Sequence, residues 1–204
     1  MRERIASVGW PELPGYFSQG GQDRFINELV LREQRNGFFI DIGANDGLTF
    51  SNTCFFEFQL GWSGVCLEPN PISYRRLCAN RTCKCIQACI GATDGMIAFP
   101  VVADSHASLF ASARKCGVHP LVDVPMLTLP TLFRQAGVER VDFLSLDIEG
   151  GELEVFSTIA DTGVRPRCVS IEQNAPPEEM DMGMSRFGYN FIAKLFPDRI
   201  YVAQ

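Results

Sequence analysis

Two acidic residues stand at the ends of apolar segments in the first half of the chain, and together they could form a ligand site. Residues 38–42 form an apolar segment that contains Asp41 and runs directly into the glycine turn 43–47. A second apolar segment, 64–67, ends at Glu68. Buried strands followed by glycine turns bring such carboxylates to one edge of a sheet. This spacing is typical of a nucleoside site in which the second acid binds the ribose hydroxyls.

The first turn does not fit a dinucleotide. The pattern Gly-x-Gly-x-x-Gly lets a pyrophosphate lie against bare backbone at a helix N-terminus. Here Gly43 takes the first glycine position, but Asn45 and Leu48 take the other two. Asp41 would repel a pyrophosphate, whereas it suits a positively charged ligand. S-adenosylmethionine carries an ammonium and a sulfonium, and its ribose would bind Glu68, so we expect this cofactor.

Two more acids end predicted strands in the second half of the chain. Asp147 ends the strand predicted at about 141–147, and Glu172 ends the one at about 168–172. Ligands of open α/β sheets bind at the carboxyl ends of the strands. We therefore expect all four acids to line one crevice.

Alternating strand and helix signals predict how these acids are positioned. The pattern indicates an α/β fold with a doubly wound, mostly parallel Rossmann-like sheet that ends in an antiparallel strand pair. Thr93-Asp94-Gly95 predicts a hairpin turn between the third strand and the next apolar segment. The further strands are predicted at about 38–42, 64–68, 84–90, 187–193 and 199–203.

The chain is predicted to form one domain. Residues 1–17 form an irregular arm, residues 18–204 the domain, and residues 103–123 a long surface excursion within it. A chain of 204 residues with 46% apolar and 21% charged residues is long enough for one α/β core. The net charge of −6 and the lack of a basic stripe argue against a nucleic-acid partner.

No membrane segment and no metal-binding cysteine motif is predicted. No apolar stretch approaches the about eighteen residues that span a bilayer, and the N-terminus lacks the apolar region of a signal peptide, so we expect a cytoplasmic protein. The eight cysteines include no Cys-x-x-Cys pair, which argues against zinc. Free thiols and one disulfide among Cys78, Cys83 and Cys85 both remain open.

Several motifs together resemble the FkbM-type methyltransferases. They are Ser18-Gln19-x-x-Gln22-Asp23, Asp41-Ile-Gly-Ala-Asn-Asp-Gly47, Ser51-Asn52-Thr53, Gly61-Trp62-x-Gly64-Val-Cys-Leu-Glu68-Pro69-Asn70 and Leu144-Ser-Leu-Asp147-Ile-Glu149-Gly150-Gly-Glu152. The resemblance implies a class I S-adenosylmethionine fold and methyl transfer, usually to a hydroxyl oxygen of a small molecule or sugar. The cofactor-binding residues would be Asp41, Gly43, Ala44, Asn45, Gly47, Glu68 and Pro69.

The resemblance places the segment from Asp147 to Glu149 at the reacting methyl group. A hydroxyl acceptor gains from a base within hydrogen-bond reach, and Asp147, Glu149 and Glu172 are the predicted catalytic residues. His106 and His119, in the excursion, are further candidates. A divalent cation such as Mg²⁺ or Ca²⁺, held by Asp147 and a neighbouring acid, would be another way to activate the acceptor.

Two other functions stay open on the sequence. One is an NAD(P)-dependent oxidoreductase on a Rossmann fold, which the missing glycines disfavour. The other is a non-catalytic, methyltransferase-like scaffold that binds a partner or senses S-adenosylmethionine. Asp41, Gly43 and Glu68 favour a surviving cofactor site but carry no information on turnover.

Overall fold

A computed structural model describes residues 15–102 and 119–204 of the chain. Ten strands are formed within these residues. They are β1 (Phe38–Ile42), β2 (Ser63–Leu67), β3 (Lys84–Ile86), β4 (Cys89–Ile90), β5 (Gly95–Pro100), β6 (Leu121–Leu127), β7 (Phe143–Leu146), β8 (Cys168–Glu172), β9 (Tyr189–Leu195) and β10 (Asp198–Ala203).

Seven strands form the main sheet, in the order β3-β2-β1-β7-β8-β10-β9. The first five in this order are parallel, and β10 is antiparallel to both of its neighbours. The predicted doubly wound sheet with a terminal antiparallel pair is thus confirmed.

One helix precedes β1, and the others lie between strands in the sequence. They are α1 (Gln22–Phe25), which continues as a π-helical turn (Ile26–Val30), α2 (Cys54–Leu60), α3 (Pro71–Asn80), α4 (Leu129–Ala136), α5 (Glu152–Ser157), which continues as a 3₁₀ turn (Thr158–Thr162), and α6 (Pro177–Arg186). The sequence analysis did not predict α6. It buries only Met180 and Met184, so its apolar signal is confined to one turn.

Within the described residues, none of these helices has the length and apolarity needed to cross a bilayer. The predicted arm lies outside the described residues except for 15–17. Its last residues are held by the buried Asp23, whose carboxylate accepts hydrogen bonds from the backbone amides of Phe17 at 2.6 Å and Ser18 at 3.1 Å.

A second, three-stranded sheet has the order β4-β6-β5, and it corrects two predictions. The predicted third strand divides into β3 in the main sheet and β4 in the second sheet. The predicted hairpin is wrong, because β6 lies between β4 and β5 and pairs with both. Asp94 instead accepts hydrogen bonds from the Thr128 amide at 2.7 Å and the Thr131 hydroxyl at 2.6 Å, which anchors the start of α4.

Strand β6 also shortens the predicted excursion. Residues 121–123 belong to this strand, while residues 103–118 lie outside the described part of the chain. The sequence did not predict this strand, because exposed residues of β6 interrupt the apolar pattern across 121–127.

Apolar side chains cover both faces of the main sheet. Successive residues of a strand point to opposite faces. Ile40 and Leu144 therefore belong to one buried cluster, while Phe39 and Phe143 belong to the other. Asp41 is two residues after Phe39 in β1, so its side chain points to the same face as Phe39. Arg81 contacts the Phe39 ring on this face.

At the position of Gly43, a side chain would clash with the backbone of Asp147. It has φ +83°, and a Cβ atom there would lie 1.9 Å from the carbonyl oxygen of Asp147. The sequence analysis assigned this glycine to close approach of a ligand. In the structure the backbone after β7 fills that space, so the glycine is required by the contact between the turns after β1 and β7.

Substitution of Gly43 by alanine is therefore expected to destabilise the fold itself. The clash and the left-handed backbone should lower the free energy of unfolding by about 2 kcal/mol or more. Thermal unfolding without any ligand measures the loss. Gly95→Ala is the control, since a Cβ there meets no atom within 4 Å. Equal melting temperatures for Gly43→Ala and the wild type would refute the backbone role.

Candidate active site

A cavity of about 480 Å³ opens where the carboxyl ends of β1, β2 and β7 face the second sheet. Its volume is within the range of sites for small ligands and cofactors. The predicted residues that line it are Gly43, Asn45, Glu68, Pro69, Asp147 and Glu149. The second sheet and its flanks add residues that the sequence analysis did not predict: Ala88, Cys89, Ile90, Ile97, Phe99 and Met126.

Glu68 lies at the wall of this cavity with its carboxylate already oriented by backbone amides. Oε2 accepts a hydrogen bond from the Asn45 amide at 2.9 Å, and Oε1 accepts one from the Asn70 amide at 2.8 Å. Burial raises the pKa of Glu68 to about 7, although the two amides act against the shift. A carboxylate has about four lone-pair directions, so both oxygens can still accept further hydrogen bonds.

The turn after β1 brings Asn45 to Glu68. The amides of Gly43 and Ala44 both donate to the carbonyl oxygen of Leu67, at 3.1 and 2.9 Å, which fastens the turn to the end of β2. Asn45 then adopts a left-handed conformation with φ 49°, and its amide points at Glu68. Of the predicted turn residues, Gly43 and Asn45 line the cavity, whereas Ala44 and Gly47 do not.

Asp41 lies beneath the turn and does not line the cavity. Its Oδ2 accepts a hydrogen bond from the Thr53 hydroxyl at 2.5 Å and lies 3.9 Å from Nη1 of Arg81. Burial raises the pKa of Asp41, and the charge of Arg81 opposes that rise. The sequence analysis predicted that this acid meets the cofactor directly. The structure shows it instead in a buried polar cluster that supports the turn.

Arg81 is the centre of that cluster. Its guanidinium donates to Oε2 of Glu57 at 2.5 Å, to the carbonyl oxygen of Gly47 at 3.1 Å and to the hydroxyls of Ser51 and Thr53 at 3.2 and 2.9 Å. The charged group is fully buried. Since a buried charge requires partners to offset its desolvation, these contacts fix the path of the chain from the glycine turn to α2.

Three acids meet across the second part of the site. Carboxylate oxygens of Asp147, Glu149 and Glu172 all lie within 4.8 Å of one another. Asp147 and Glu149 line the cavity, while Glu172 stands behind them. Burial and the charge of Glu172 raise the pKa of Asp147 well above its ordinary value. Burial, with the charges of Glu172 and Glu152, raises that of Glu149 to about 7.

The backbone between these acids is unusual. Glu149 has φ 62° and is followed by Gly150 and Gly151, both also with positive φ. The Gly150 amide donates to Oε1 of Glu152 at 2.8 Å, and the same oxygen accepts from the side chain of Asn174 at 2.7 Å. Non-glycine residues in this conformation are uncommon and concentrate at functional sites.

A second layer of polar residues lies behind the acids, and the sequence analysis missed it. Asp198 accepts hydrogen bonds at Oδ2 from Ser170 at 2.7 Å and from Nδ2 of Asn52 at 2.9 Å. Nδ2 of Asn52 also donates to Ser145 at 3.1 Å. Burial raises the pKa of Asp198 to about 6. Asn52 belongs to one of the sequence motifs, whereas Asp198 carries no local signal, because its pairing with Glu172 depends on the antiparallel register of the folded sheet.

The predicted histidines do not contribute to the described site. His119 is exposed and does not line the cavity. His106 lies outside the described residues. For a divalent cation, Asp147, Glu149 and Glu172 are the group of three metal-ligand side chains found among the described residues, and their oxygens are the type that Mg²⁺ and Ca²⁺ prefer.

Comparisons with known proteins point in the same direction as this geometry. Residues 41–195 match the Methyltransferase FkbM domain. The solved methyltransferase FkbM from Methylobacillus flagellatus has a TM-score of 0.55 at 11% identity, over 91% of this chain and 48% of that chain. This chain therefore spans about half the length of that protein. No curated protein sequence gives a significant match.

Two further solved structures share the fold. A TehB-like SAM-dependent methyltransferase from Corynebacterium glutamicum has a TM-score of 0.50 at 8% identity, over 100% of this chain and 94% of that chain. The N-terminal domain of human METTL16 in complex with SAH has a TM-score of 0.50 at 13% identity, over 98% and 76% of the two chains. At such identities the likeness concerns the fold, and the domain match, which covers more than half of the sequence, identifies this chain as a member of the FkbM family of S-adenosylmethionine-dependent methyltransferases.

Proposed function

We propose that this protein transfers a methyl group from S-adenosylmethionine to a hydroxyl oxygen of a small molecule or carbohydrate. The observation that carries the proposal is the position of Asp147. Its half-buried side chain lines the cavity and has carboxylate oxygens of Glu149 and Glu172 within 4.8 Å, and its own carbonyl oxygen lies against Gly43. A base in this position is what a hydroxyl acceptor requires.

The cavity suits the cofactor in size and in donors. Glu68 keeps free lone pairs on both oxygens for the two ribose hydroxyls, as expected of an acid at the end of the second strand. Gly43 and Asn45 expose backbone toward the same space. When bound, S-adenosylmethionine supplies a methyl group on a positively charged sulfonium. We propose that Glu68 and Pro69 contact the adenosine and that the turn 43–47 lies near the methionine.

Asp147 is proposed to hold the proton of the reaction. Methylation of a hydroxyl oxygen would require the acceptor to give up its hydroxyl proton, and Asp147 would receive it. A carboxylate whose pKa is raised binds this proton more strongly than an exposed carboxylate with an ordinary pKa. Burial and the neighbouring Glu172 provide that shift. Glu149 and Glu172 are proposed to share the charge and the proton with Asp147.

The two walls of the cavity suggest the class of acceptor. One wall carries the carboxylates of Asp147 and Glu149, which accept hydrogen bonds from hydroxyl groups. The other carries Ile97, Phe99 and Met126 of the second sheet, which offer apolar and aromatic surface. A hydroxylated compound with an apolar face, such as a sugar, fits both walls. The acids disfavour a polyanionic acceptor such as a nucleic acid.

Of the alternatives considered from the sequence, the NAD(P)-dependent oxidoreductase is set aside because the chain belongs to a methyltransferase family. The non-catalytic scaffold makes a distinct prediction: cofactor binding without turnover on any acceptor.

Cofactor binding is expected to depend on the ionised form of Glu68. S-adenosylhomocysteine should raise the melting temperature, and NAD should not. Glu68→Gln should weaken the binding of S-adenosylhomocysteine by about 2 kcal/mol, which is about 30-fold, because a charged hydrogen-bond acceptor is lost. Titration calorimetry measures the affinity.

The pH dependence tests the same group independently. Below its pKa of about 7 in the free protein, Glu68 is protonated and a poorer acceptor. Wild-type affinity should therefore rise between about pH 6 and pH 8, and the rise should be smaller in Glu68→Gln, where Glu149 still titrates in the same range. Glu178→Gln, an exposed residue of α6, is the matched control and should behave like the wild type. A wild-type profile in Glu68→Gln would place the ribose elsewhere.

The catalytic proposal is tested by Asp147→Asn, which keeps the size of the side chain and removes the charge. We expect cofactor affinity within about 1 kcal/mol of the wild type and a loss of turnover on the order of 10²-fold or more. The assay measures release of S-adenosylhomocysteine with a panel of hydroxylated compounds, amines and RNA. Asp161→Asn is the control, because Asp161 is exposed and does not line the cavity.

The outcomes of this assay separate the mechanisms. Activity that chelation removes and Mg²⁺ restores assigns Asp147 to a metal site, whereas activity indifferent to chelation supports direct proton transfer. Full turnover in Asp147→Asn removes this residue from the mechanism. Preferred methylation of the amines or of RNA would refute the hydroxyl acceptor, and cofactor binding without turnover on any compound would support the scaffold.

A further inference from the structure

Three cysteines lie on the same side of the main sheet, on or next to β2, the strand that ends just before Glu68. Cys66 of β2 is the register partner of Cys85 on β3, and Cys83 precedes Cys85 by two residues. All three side chains pack with the same apolar cluster on one face of the main sheet. The Sγ atoms of Cys66 and Cys83 are 3.4 Å apart, and the Cys85 thiol lies 3.6 Å from the carbonyl oxygen of Cys83. All three are free thiols.

The two members of the closest pair have different surroundings. Cys66 is fully buried, whereas Cys83 is partly accessible. Hydrogen bonds from Cys66 and Cys85, and the positive charge of Arg81, lower the pKa of Cys83. Burial and the hydrogen bond to Cys83 raise that of Cys66. A reachable thiolate beside a buried thiol is the arrangement of an attacking and a resolving cysteine.

We propose that Cys66 and Cys83 are a redox modification site, at which a low-molecular-weight disulfide such as oxidised glutathione closes a reversible disulfide bond between them. A disulfide bond needs the two sulfurs at about 2.05 Å, so each has to move by less than an ångström if they share the approach equally. Cys83 lies between the end of α3 and β3, the edge strand of the main sheet.

The chemistry balances in two exchange steps. The Cys83 thiolate attacks one sulfur of the small disulfide, forms a mixed disulfide and releases one thiolate. Cys66 then loses its proton, attacks the Cys83 sulfur and releases the second thiolate. The protein gives up two protons and two electrons, and the small disulfide takes them up to become two thiols. Arg81 favours the anionic form of both cysteines.

Closing this bond would act on the cofactor site from two directions. Cys66 is two residues before Glu68, whose carboxylate lies 2.9 Å from the Asn45 amide. The Cys83 amide donates to Glu57 at 3.0 Å, and Glu57 also binds Arg81, which holds the glycine turn. We therefore expect oxidation to weaken cofactor binding several-fold. This consequence rests on the proposed function, whereas the bond itself does not.

The bond is tested by equilibrating the full-length protein in glutathione redox buffers, blocking free thiols and mapping the peptides by mass spectrometry. We expect a peptide pair joined through Cys66 and Cys83 that dithiothreitol separates. Cys66→Ala and Cys83→Ser should each abolish it. Cys78→Ser, which removes an exposed thiol on α3, should not. Because Cys83 is only partly buried, Cys83→Ser remains informative if Cys66→Ala unfolds.

Other results would overturn the proposal. No intramolecular disulfide under oxidising buffer, a bond that joins Cys83 to Cys85, or an unchanged crosslink in Cys83→Ser would each refute the pairing. Binding of S-adenosylhomocysteine is then compared between the reduced and oxidised forms. A mapped bond with unchanged affinity refutes only the coupling to the cofactor. Failure of the reduced protein to bind the ligand concerns the proposed function and leaves the bond assignment standing.

Discussion

The buried guanidinium of Arg81 is the contact on which the site depends. It stands at the end of α3, far from the glycine turn in sequence, yet it binds the carbonyl oxygen of Gly47 and the side chains that follow it. An unpaired charge in this position would cost several kcal/mol, so the cation and its acceptors must fold together. One side chain thereby joins the turn after β1, the start of α2 and the end of α3.

The parallel arrangement of the strands is a second constraint, because it brings several acidic side chains to one edge of the sheet. Strands β1, β2, β7 and β8 all end at one edge of the sheet, and each carries a carboxylate at or just after its last residues. Partial burial and neighbouring like charges both disfavour ionisation. Burial is the main cause of the raised pKa values of Glu68, Asp147 and Glu149, and the nearby acids add to it.

Asp41 and Glu68 have similar sequence contexts, but their side chains lie in different parts of the structure. Both acids follow apolar segments, and both were expected to meet the cofactor. Glu68 stands one residue beyond its strand, where two backbone amides turn its carboxylate to the cavity. Asp41 is still inside its strand, so the alternation of the strand directs it to the helices. Its closest partners are Thr53 and Arg81.

Local patterns determined much of this protein. Apolar segments and glycine turns were enough to predict the alternation of strands and helices and the approximate positions of the main strands. The motifs at Asp41, Glu68 and Asp147 were enough to predict the family and its cofactor. These features are readable because each depends on residues close together in the chain.

The tertiary structure decided what depends on distant pairing. The placement of β6 between β4 and β5, the second layer at Asp198 and the contact between Cys66 and Cys83 all join residues whose sequence separation carries no local signal. The role of Gly43 is of the same kind, because the atom that excludes a side chain there belongs to Asp147. Strand register and packing bring such pairs together, and neither can be read from one segment alone.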